Sequence, residues 1–379
     1  MSDKQTSIML ICGEHSGDLL GADLAKSLLA KHTNLRLSGV GGRLMEAAGV
    51  HVDDDMSMLS IIGFVEVIQR FSSICQLMRR IQARLLANPP DLLILIDAPG
   101  FNLRLARFAT AHRIPVLYYV GPQWWAWRKG RIKTIKATVD HMAVLLPFEP
   151  KLYQAHQVPV SLIQHPLYVQ SRQTVDRSSV FSHLSLNTSK KILVFMPGSR
   201  RSELKRHFSI IIQVAELWQK KHHDWQYICL KVDHLSDDYY AKAAAAHIQL
   251  VSSCNHELLS VADACVCCSG TATLEVALHQ VPMVIMYKTS WVNYLVARAI
   301  LKVKFIGLCN LVVDYPLAEE LIQSQATPTN IINALERILN PSNKVSERPE
   351  VYSKLLECFS AARKSESLAE IALKLIDYN

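Results

Sequence analysis

The residues with the clearest chemical potential form one stretch in the second half of the chain, residues 267–275, with the sequence CCSGTATLE. An apolar run precedes it, so a buried strand is predicted to end here and a helix to begin at Ser269-Gly270-Thr271. The first N–H groups of a helix could bind a phosphate, and Gly270 would let it approach closely. Glu275 could then accept hydrogen bonds from a ribose diol. Ser and Thr also cap helices that bind nothing, so both interpretations stay open at this point.

Two further residues could take part in a transfer reaction. Asp97 directly follows the predicted strand 91–96 and would lie at the carboxyl edge of a parallel sheet, where α/β proteins bind ligands. There it could act as a general base for an attacking hydroxyl. Arg200 follows the predicted strand 191–196 and could offset charge on a departing diphosphate without a metal. A helix cap for Asp97 and a salt-bridged loop residue for Arg200 are the alternatives.

Metal and cofactor chemistry has little support in the sequence. Asp53-Asp54-Asp55 contains a D-x-D pair, but it is predicted to be a solvated loop with no strand leading into it. No His pair has metal-binding helical spacing, and no G-x-S-x-G elbow or P-loop is present. The first glycine turn, residues 13–18, is not the dinucleotide motif G-x-G-x-x-G. We therefore expect neither a metal nor a cofactor.

These candidate residues require a parallel sheet in each half of the chain. Strands are predicted at residues 7–12, 35–42, 91–96, 115–120, 139–146 and 158–163, and then at 191–196, 226–232, 260–268 and 281–287. This order predicts an α/β protein with two Rossmann-like domains that face a cleft. The predicted divisions are residues 1–168, a polar linker at 169–189, residues 190–345, and C-terminal helices at 346–379 that return to the first domain. Asp97 would lie on one side of the cleft, and Arg200 with residues 269–275 on the other.

The composition narrows the class of partner. The chain has 379 residues, and 41 Lys and Arg against 33 Asp and Glu give a net charge of +8. This surplus favours phosphorylated substrates or anionic lipid, since no nucleic-acid-binding motif is present. Nine cysteines without metal-binding spacing predict reduced thiols in the cytosol, and we expect no signal peptide and no membrane-spanning helix.

Two apolar features could meet an amphiphilic substrate or a membrane. Trp124, Trp125 and Trp127 lie beside Arg128 and two further cations, so they could form a flat apolar wall next to phosphate-binding charge. Alternatively, they only cover the end of the sheet. Residues 65–86 form a basic amphipathic stretch that could rest on an anionic bilayer. Packing of its apolar face into the first domain is the alternative.

The motifs together resemble those of the lipid-A-disaccharide synthase family along the whole chain. The family's G-E-x-S-G-D, I-D-A-P-D-F-N, Y-V-S-P-S-x-W-A-W-R and L-P-F-E motifs have counterparts at residues 13–18, 96–102, 119–128 and 146–149. Residues 197–200 with Glu203, and residues 269–275, match in the second half. Asn310 also precedes Gln323 with the family's spacing. The departures are a less usual His15, and Gly100, Gly121, Gln123 and Cys309 in place of the family's Asp, two Ser and Pro.

The resemblance implies a GT-B-type, inverting, metal-independent glycosyltransferase. Its substrates would be UDP-2,3-diacylglucosamine and 2,3-diacylglucosamine 1-phosphate, joined through the acceptor's 6-hydroxyl into a β-1,6-linked disaccharide 1-phosphate with release of UDP. The implied location is the cytoplasmic face of a Gram-negative inner membrane, with peripheral contact to its anionic surface. A homo-oligomer is also possible.

The resemblance also assigns site residues. The catalytic pair would be Asp97 and Arg200. The UDP site would comprise Gly198, Ser199, Arg200, Ser269, Gly270, Thr271, Glu275 and Asn310. The acceptor and lipid site would comprise Glu14, Ser16, Asp18, Asn102, Trp125, Trp127 and Arg128.

Two other functions remain possible for this sequence. A non-hydrolysing UDP-sugar epimerase shares the fold but would act on a water-soluble sugar nucleotide and would not need the tryptophans. A weakly active paralogue that binds lipid or nucleotide would fit the lost Asp and Ser residues. An assay of UDP release and disaccharide formation separates these possibilities.

Overall fold

A computed structural model describes residues 5–59, 71–232, 235–301, 303–340, 348–364 and 366–377. The chain forms two compact units. Unit 1 comprises Met1–Gln164 and Ala361–Asn379, and unit 2 comprises His165–Ser360. The chain therefore passes from unit 1 to unit 2 and back again.

Unit 1 is built on a parallel sheet, ordered β3-β2-β1-β4-β5-β6-β7 within the described residues. Its strands are β1 (Thr6–Cys12), β2 (Leu35–Gly41), β3 (His51–Asp55), β4 (Leu92–Ile96), β5 (Val116–Tyr119), β6 (His141–Val144) and β7 (Val160–Leu162). Its helices are α1 (His15–Lys31), α2 (Arg43–Ala47), α3 (Phe71–Ala87), α4 (Pro99–Ala111), α5 (Trp124–Trp127), α6 (Arg131–Thr138) and α7 (Glu149–Gln154), followed much later by α17 (Leu368–Asp377). Short 3₁₀ turns occupy Met56–Met58 and Ala361–Lys364.

The continuous apolar run of β4 follows from its position in the sheet. All five of its residues are buried, because helices cover both faces of a parallel sheet. One face packs against α1 and α17, and the other against α3, α4 and α6. The sheet therefore delivers the residue after β4, Asp97, to an edge held rigidly on both sides.

Unit 2 repeats the plan with a parallel sheet ordered β10-β9-β8-β11-β12-β13 in the described part of the chain. Its strands are β8 (Lys191–Met196), β9 (Trp225–Leu230), β10 (Ile248–Val251), β11 (Ala264–Cys268), β12 (Met283–Tyr287) and β13 (Glu319–Ile322). Its helices are α8 (Pro166–Ser171), α9 (Arg177–His183), α10 (Arg201–Lys221), α11 (Asn255–Val261), α12 (Thr271–Leu278), α13 (Trp291–Ile300), α14 (Leu308–Val313), α15 (Pro328–Leu339) and α16 (Arg348–Ser360). Three 3₁₀ turns lie at Asp237–Tyr240, Ala244–Ala246 and Gln323–Gln325.

The boundaries differ from the sequence-based division in two places. The predicted linker, residues 169–189, contains the end of α8 and all of α9, and Val180 and Phe181 are buried in the core of unit 2. The C-terminal helices divide, because α16 packs in unit 2 and only α17 returns to unit 1. Polar composition concealed α9 because only one narrow face of this short helix is apolar.

Three strands were not predicted from the sequence. β3 runs through Asp53-Asp54-Asp55, which is therefore an edge strand and not the solvated loop expected. Its carboxylates are engaged within unit 1: Arg80 and Arg84 donate to Asp54 at 2.7 and 2.6 Å, and Asp55 accepts from the Ser57 N–H. β10 and β13 are also short edge strands, whose few buried residues give little alternation to read.

The amphipathic stretch at residues 65–86 lies partly outside the described residues, which resume at residue 71. In its described part, Leu77 and Ile81 are buried in the core of unit 1, as is Leu85 on the next turn. Arg80 and Arg84 bind Asp54. Core packing is thus the observed role of α3. None of the helices in the described residues has the length and apolar character needed to cross a membrane.

Candidate functional site

The turn after β4 holds Asp97 in an unusual backbone conformation. Asp97 and Ala98 both have positive φ, 49° and 44°. Two buried side chains fix the turn from below: the Tyr118 hydroxyl donates to the Asp97 carbonyl oxygen at 2.6 Å, and the Asn102 amide donates to the same oxygen at 2.8 Å. Such left-handed pairs persist only where the surroundings hold them. Asn102, predicted to bind the acceptor, is fully buried and supports the turn that holds Asp97.

The Asp97 carboxyl is tuned as a proton acceptor. Its pKa is raised to about 6, chiefly because burial disfavours the charged form and then because the negative charge of Glu14 lies nearby; the Ala98 N–H partly opposes both. At neutral pH it is therefore still mostly ionised, yet it binds a proton more readily than an ordinary aspartate does. These are the properties of a general base.

A cavity of about 560 Å³ opens beside this turn, within unit 1. Its walls come from the glycine turn before α1, from α3, and from the segment after Asp97. Apolar side chains, among them Ile74, Met78 and Phe101, line much of it, and Arg79, Arg104 and Glu14 contribute charge. The predicted acceptor residue Glu14 thus lies at the cavity, whereas Ser16 is exposed on the first turn of α1.

Unit 2 places residues that were predicted to bind the diphosphate at the carboxyl edge of its sheet. Gly198, with φ of 110°, turns the chain after β8 toward Arg200. Glu203 fixes this loop by accepting from the Ser199 and Arg200 N–H groups at 3.1 and 3.2 Å and from the Arg200 guanidinium at 3.2 Å. A Cβ at Gly198 would come within 2.4 Å of Glu203 Oε2, so only glycine fits. Half of the Arg200 side chain remains exposed to solvent.

The next strand leads to the helix start that the sequence predicted. Gly270, with φ of 138°, precedes α12 and has no atom within 4 Å of the position a Cβ would occupy. Thr271 is exposed, and Ser269 uses its hydroxyl to hold the Ile306 carbonyl oxygen at 2.8 Å. Glu275 is half-buried, its pKa is raised by burial, and Asn255 donates to it at 3.4 Å. An open, positively polarised helix start with a carboxylate one turn away suits a phosphate and a diol.

A buried histidine that sequence reasoning missed links two loops at this edge of the sheet. His207 on α10 uses both ring nitrogens: Nδ1 donates to the Pro197 carbonyl oxygen at 2.8 Å, and Nε2 accepts from the Lys288 N–H at 2.9 Å. Burial lowers its pKa. It therefore ties the loop after β8 to the loop after β12. No motif distinguishes such a residue in the sequence from an ordinary helical histidine.

Comparison with known proteins decides the family. A family model described as Lipid-A-disaccharide synthetase matches residues 8–375. This chain belongs to the lipid-A-disaccharide synthetase family. A lipid-A-disaccharide synthase of Coxiella burnetii (strain Dugway 5J108-111) is 42% identical over 343 residues, covering 90% of this chain and 91% of its own. One from Trichlorobacter lovleyi is 37% identical over 373 residues, covering 98% and 97%.

Solved structures confirm the predicted fold of this lipid-A-disaccharide synthetase family member. The glycotransferase of kitacinnamycin superposes with a TM-score of 0.67 at 13% identity, over 98% of this chain and 100% of that chain. A UDP-GlcNAc 2-epimerase from Neisseria meningitidis gives 0.62 at 12% identity, over 99% and 100%. At these identities the likeness concerns the fold, which GT-B glycosyltransferases and epimerases share. The family identifies the protein as a glycosyltransferase.

Some residues that match the motifs of the lipid-A-disaccharide synthetase family are part of the scaffold. Asp18 is buried and accepts from the N–H groups of Gly42, Leu44 and Met45, at 2.8 to 3.1 Å, where α2 begins. Asn310 is also fully buried; its amide donates to the Ala318 carbonyl oxygen and to Glu320, and its oxygen accepts from the Ala318 N–H. Both side chains are buried and hold backbone groups of their own unit, so the structure shows a scaffold role for each. Their roles in binding substrate stay predictions.

The tryptophan motif is only partly available to a substrate. Trp124 is buried in the core of unit 1, and Trp125 is half-buried, with its indole N–H donating to Glu149 at 3.2 Å. Burial raises the pKa of Glu149 to about 7. Arg128 is exposed, and the side chain of Trp127 lies outside the described residues. At most two of the three tryptophans can therefore form the expected apolar wall. Glu149, which was not predicted as a site residue, positions the Trp125 indole.

The surroundings of Gly121 and Gly100, two departures from the family motifs, differ in the room that they leave for a side chain. A Cβ at Gly121 would lie 2.4 Å from the buried Tyr153 hydroxyl, so a serine at this position would require the tyrosine to move. Gly100 is exposed, and a Cβ added there would meet no atom within 4 Å, so an aspartate would fit without displacing a neighbour. The packing therefore gives no reason for glycine at position 100.

Proposed function

We propose that this enzyme transfers 2,3-diacylglucosamine from UDP-2,3-diacylglucosamine to the 6-hydroxyl of 2,3-diacylglucosamine 1-phosphate, forming the β-1,6-linked disaccharide 1-phosphate and UDP. Family membership over nearly the whole chain supports this substrate pair. The observation that carries the mechanism is Asp97, held at the edge of the sheet with a pKa raised to about 6. A base of this kind is what a sugar hydroxyl needs as it attacks.

In this mechanism each unit supplies one half of the reaction. The acceptor hydroxyl gives its proton to the Asp97 carboxylate while its oxygen attacks the anomeric carbon of the donor. The bond from that carbon to the diphosphate breaks on the opposite side, so the configuration inverts. Arg200 and the start of α12 stabilise the negative charge that develops on the leaving UDP. Glu275 would hold the ribose diol.

Metal independence is part of the proposal, because Arg200 and the helix start provide the positive charge at the diphosphate. Among the described residues, no three His, Cys, Asp or Glu side chains are grouped so as to hold a metal ion. The deciding assay supplies both acylated substrates and follows UDP release and disaccharide formation, with and without a chelator. Equal transfer in both conditions is expected. Activity lost to the chelator and restored by magnesium would refute the metal-free mechanism.

The same assay separates the other functions. An epimerase would convert the sugar nucleotide without an acceptor and release no disaccharide. A weakly active paralogue would bind UDP but show no turnover. Disaccharide formation that depends on the acceptor excludes both.

The pH dependence of transfer should report the Asp97 base. The carboxylate is the active form and its pKa is about 6, so kcat/KM is expected to fall as pH drops through about 6. Glu14→Gln removes the nearby negative charge that contributes to this raised pKa, so the acidic limb should move to lower pH. Glu46→Gln, which changes an exposed glutamate of α2, is the matched control. An acidic limb at the same pH in the Glu14 variant would contradict this assignment.

The cavity beside Asp97 is proposed as the acceptor site, with apolar walls for an acyl chain and Arg79 and Arg104 near the phosphate. Charge-assisted hydrogen bonds are worth about 1.5–3 kcal/mol, so Arg79→Ala with Arg104→Ala should raise KM for the acceptor by about tenfold or more. Arg107→Ala is the control, because Arg107 lies on the same helix but donates to Thr134. Unchanged acceptor KM in the double variant would exclude this site.

Substrates with acyl chains require a lipid surface nearby. We therefore propose peripheral association with the cytoplasmic face of an inner membrane. The +8 net charge supports contact with anionic lipid. A homo-oligomer is compatible with this arrangement and is tested below together with membrane binding.

A further inference from the structure

The most exposed apolar surface of the described residues lies on unit 2, on and just after α13. Of the large apolar side chains that are exposed, six fall within residues 291–301, led by Val292 at 71% and Trp291 at 61% exposure. The other four are Leu295, Val296, Ile300 and Leu301. No residue of this ten-residue helix is buried. A soluble surface rarely leaves so many neighbouring apolar side chains in water without a partner.

The exposed side chains share one face of a well-formed helix. Trp291, Val292, Leu295 and Val296 follow the spacing of neighbouring turns, so they lie along one stripe. Ser290 caps the helix by accepting from the Asn293 N–H at 3.2 Å. Such an amphipathic helix normally buries its stripe against its own domain. Here the stripe is presented to solvent.

The charge around this stripe identifies the kind of surface it would meet. From residue 288 to residue 313 the sequence contains Lys288, Arg298, Lys302 and Lys304 but no Asp or Glu. Arg298 and Lys304 are exposed, and Lys304 lies 3.6 Å from the exposed carboxylate of Asp314. An apolar stripe flanked by cations, with tryptophan and tyrosine at its beginning, complements an anionic lipid interface.

α13 lies at the same edge of the unit 2 sheet as the residues proposed to bind the nucleotide. β12 is parallel to β11, which is parallel to β8, so their carboxyl ends meet at one edge of the unit 2 sheet. α13 begins four residues after β12 ends, while β8 leads to Gly198 and Arg200. His207 and Gln323 both bind the loop between β12 and α13, through Lys288 and Thr289. Docking through α13 would therefore bring the donor site close to the docked surface.

We propose that α13 and residue 301 form a lipid-docking helix that lies in the interface of an anionic bilayer and brings the donor site of unit 2 to its lipid-linked substrate. The choice of a bilayer rests on the proposed function, in which the donor carries acyl chains. A second copy of the chain fits the surface less well. The helix is only about 15 Å long. Its single apolar face is therefore small beside the roughly 800 Å² that each partner buries in a standard protein–protein interface. Two copies meeting here would also bring their cations together.

The test removes the apolar stripe without altering the nucleotide site. The triple variant Trp291→Gln, Leu295→Gln, Val296→Gln changes only exposed side chains, so its melting temperature should match that of the wild type. Co-sedimentation with vesicles of phosphatidylglycerol and phosphatidylethanolamine should weaken by about tenfold or more, since tenfold is about 1.4 kcal/mol. The control variant Val169→Gln, Leu217→Gln replaces exposed apolar residues elsewhere on unit 2 and should bind as the wild type does.

Two further measurements separate the possible outcomes. Substrates dispersed in detergent do not require docking to a bilayer, so the triple variant should still transfer sugar between them. If the wild type itself showed no transfer in this assay, the proposed function would be wrong, and the vesicle-binding result would still test docking. The oligomeric state, measured by light scattering, should be the same in all variants. Unchanged vesicle binding in the triple variant would overturn the proposal. If the variant also lost an oligomer that the wild type forms, the surface would be assigned to self-association.

Discussion

Replacing Asp97 with asparagine should lower the rate of sugar transfer by about a hundredfold to ten-thousandfold, the usual cost of losing a general base. Asparagine is the informative replacement because Asp97 has φ of 49°, a conformation that Asn adopts more readily than most residues. The turn held by Tyr118 and Asn102 should therefore survive, and only proton transfer is lost. The rate is measured as disaccharide formed at saturating concentrations of both substrates.

UDP binding provides the internal control for this variant. The nucleotide features lie on unit 2, so the affinity for UDP measured by calorimetry should stay close to that of the wild type. The melting temperature should not fall, because the raised pKa means that the buried negative charge destabilises the fold above pH 6. Near-normal turnover in Asp97→Asn would exclude Asp97 as the base.

Replacing Arg200 with alanine should weaken UDP binding by about tenfold to a hundredfold, since a charge-assisted hydrogen bond to a phosphate is worth about 1.5–3 kcal/mol. The transfer rate should fall further than binding does, because charge on the diphosphate increases as the sugar–phosphate bond breaks. Calorimetry with UDP and steady-state kinetics measure the two effects separately.

Arg337 gives a matched control for Arg200. Its side chain is 53% exposed against 50% for Arg200, and each forms an ion pair with a glutamate of unit 2. Arg337→Ala should leave both UDP affinity and turnover unchanged. If Arg200→Ala behaved in the same way, the diphosphate would have to be held elsewhere in unit 2.

The position of the catalytic candidates could be predicted because it depends on local sequence. An unbroken apolar run such as Leu92–Ile96 indicates a strand buried on both faces, and the residue after it must emerge at the sheet edge. The same reasoning placed Arg200 and the start of α12. The raised pKa of Asp97 could not be predicted, since it depends on burial and on Glu14, which lies far earlier in the chain.

Other features escaped prediction because a sequence pattern does not identify the partner of a side chain. Asn310 belongs to a motif of the family, and only the structure shows that its amide is consumed by Ala318 and Glu320. The stripe of α13 and the stripe of α3 look alike in sequence, as apolar residues at helical spacing. α3 packs its stripe into the core of unit 1, whereas α13 exposes its own. Periodicity reveals an apolar face but not what covers it.

The return of the chain from unit 2 to unit 1 affects the order in which the two units can fold during translation. Unit 2 is a continuous segment and can fold as soon as Ser360 has left the ribosome. Unit 1 has to wait longer, because Leu368, Ile371 and Ala372 of α17 belong to a core that contains residues of β1 and β4. We therefore expect the half that carries Asp97 to be synthesised first but to complete its core last. Removal of α17 should then destabilise unit 1 more than unit 2.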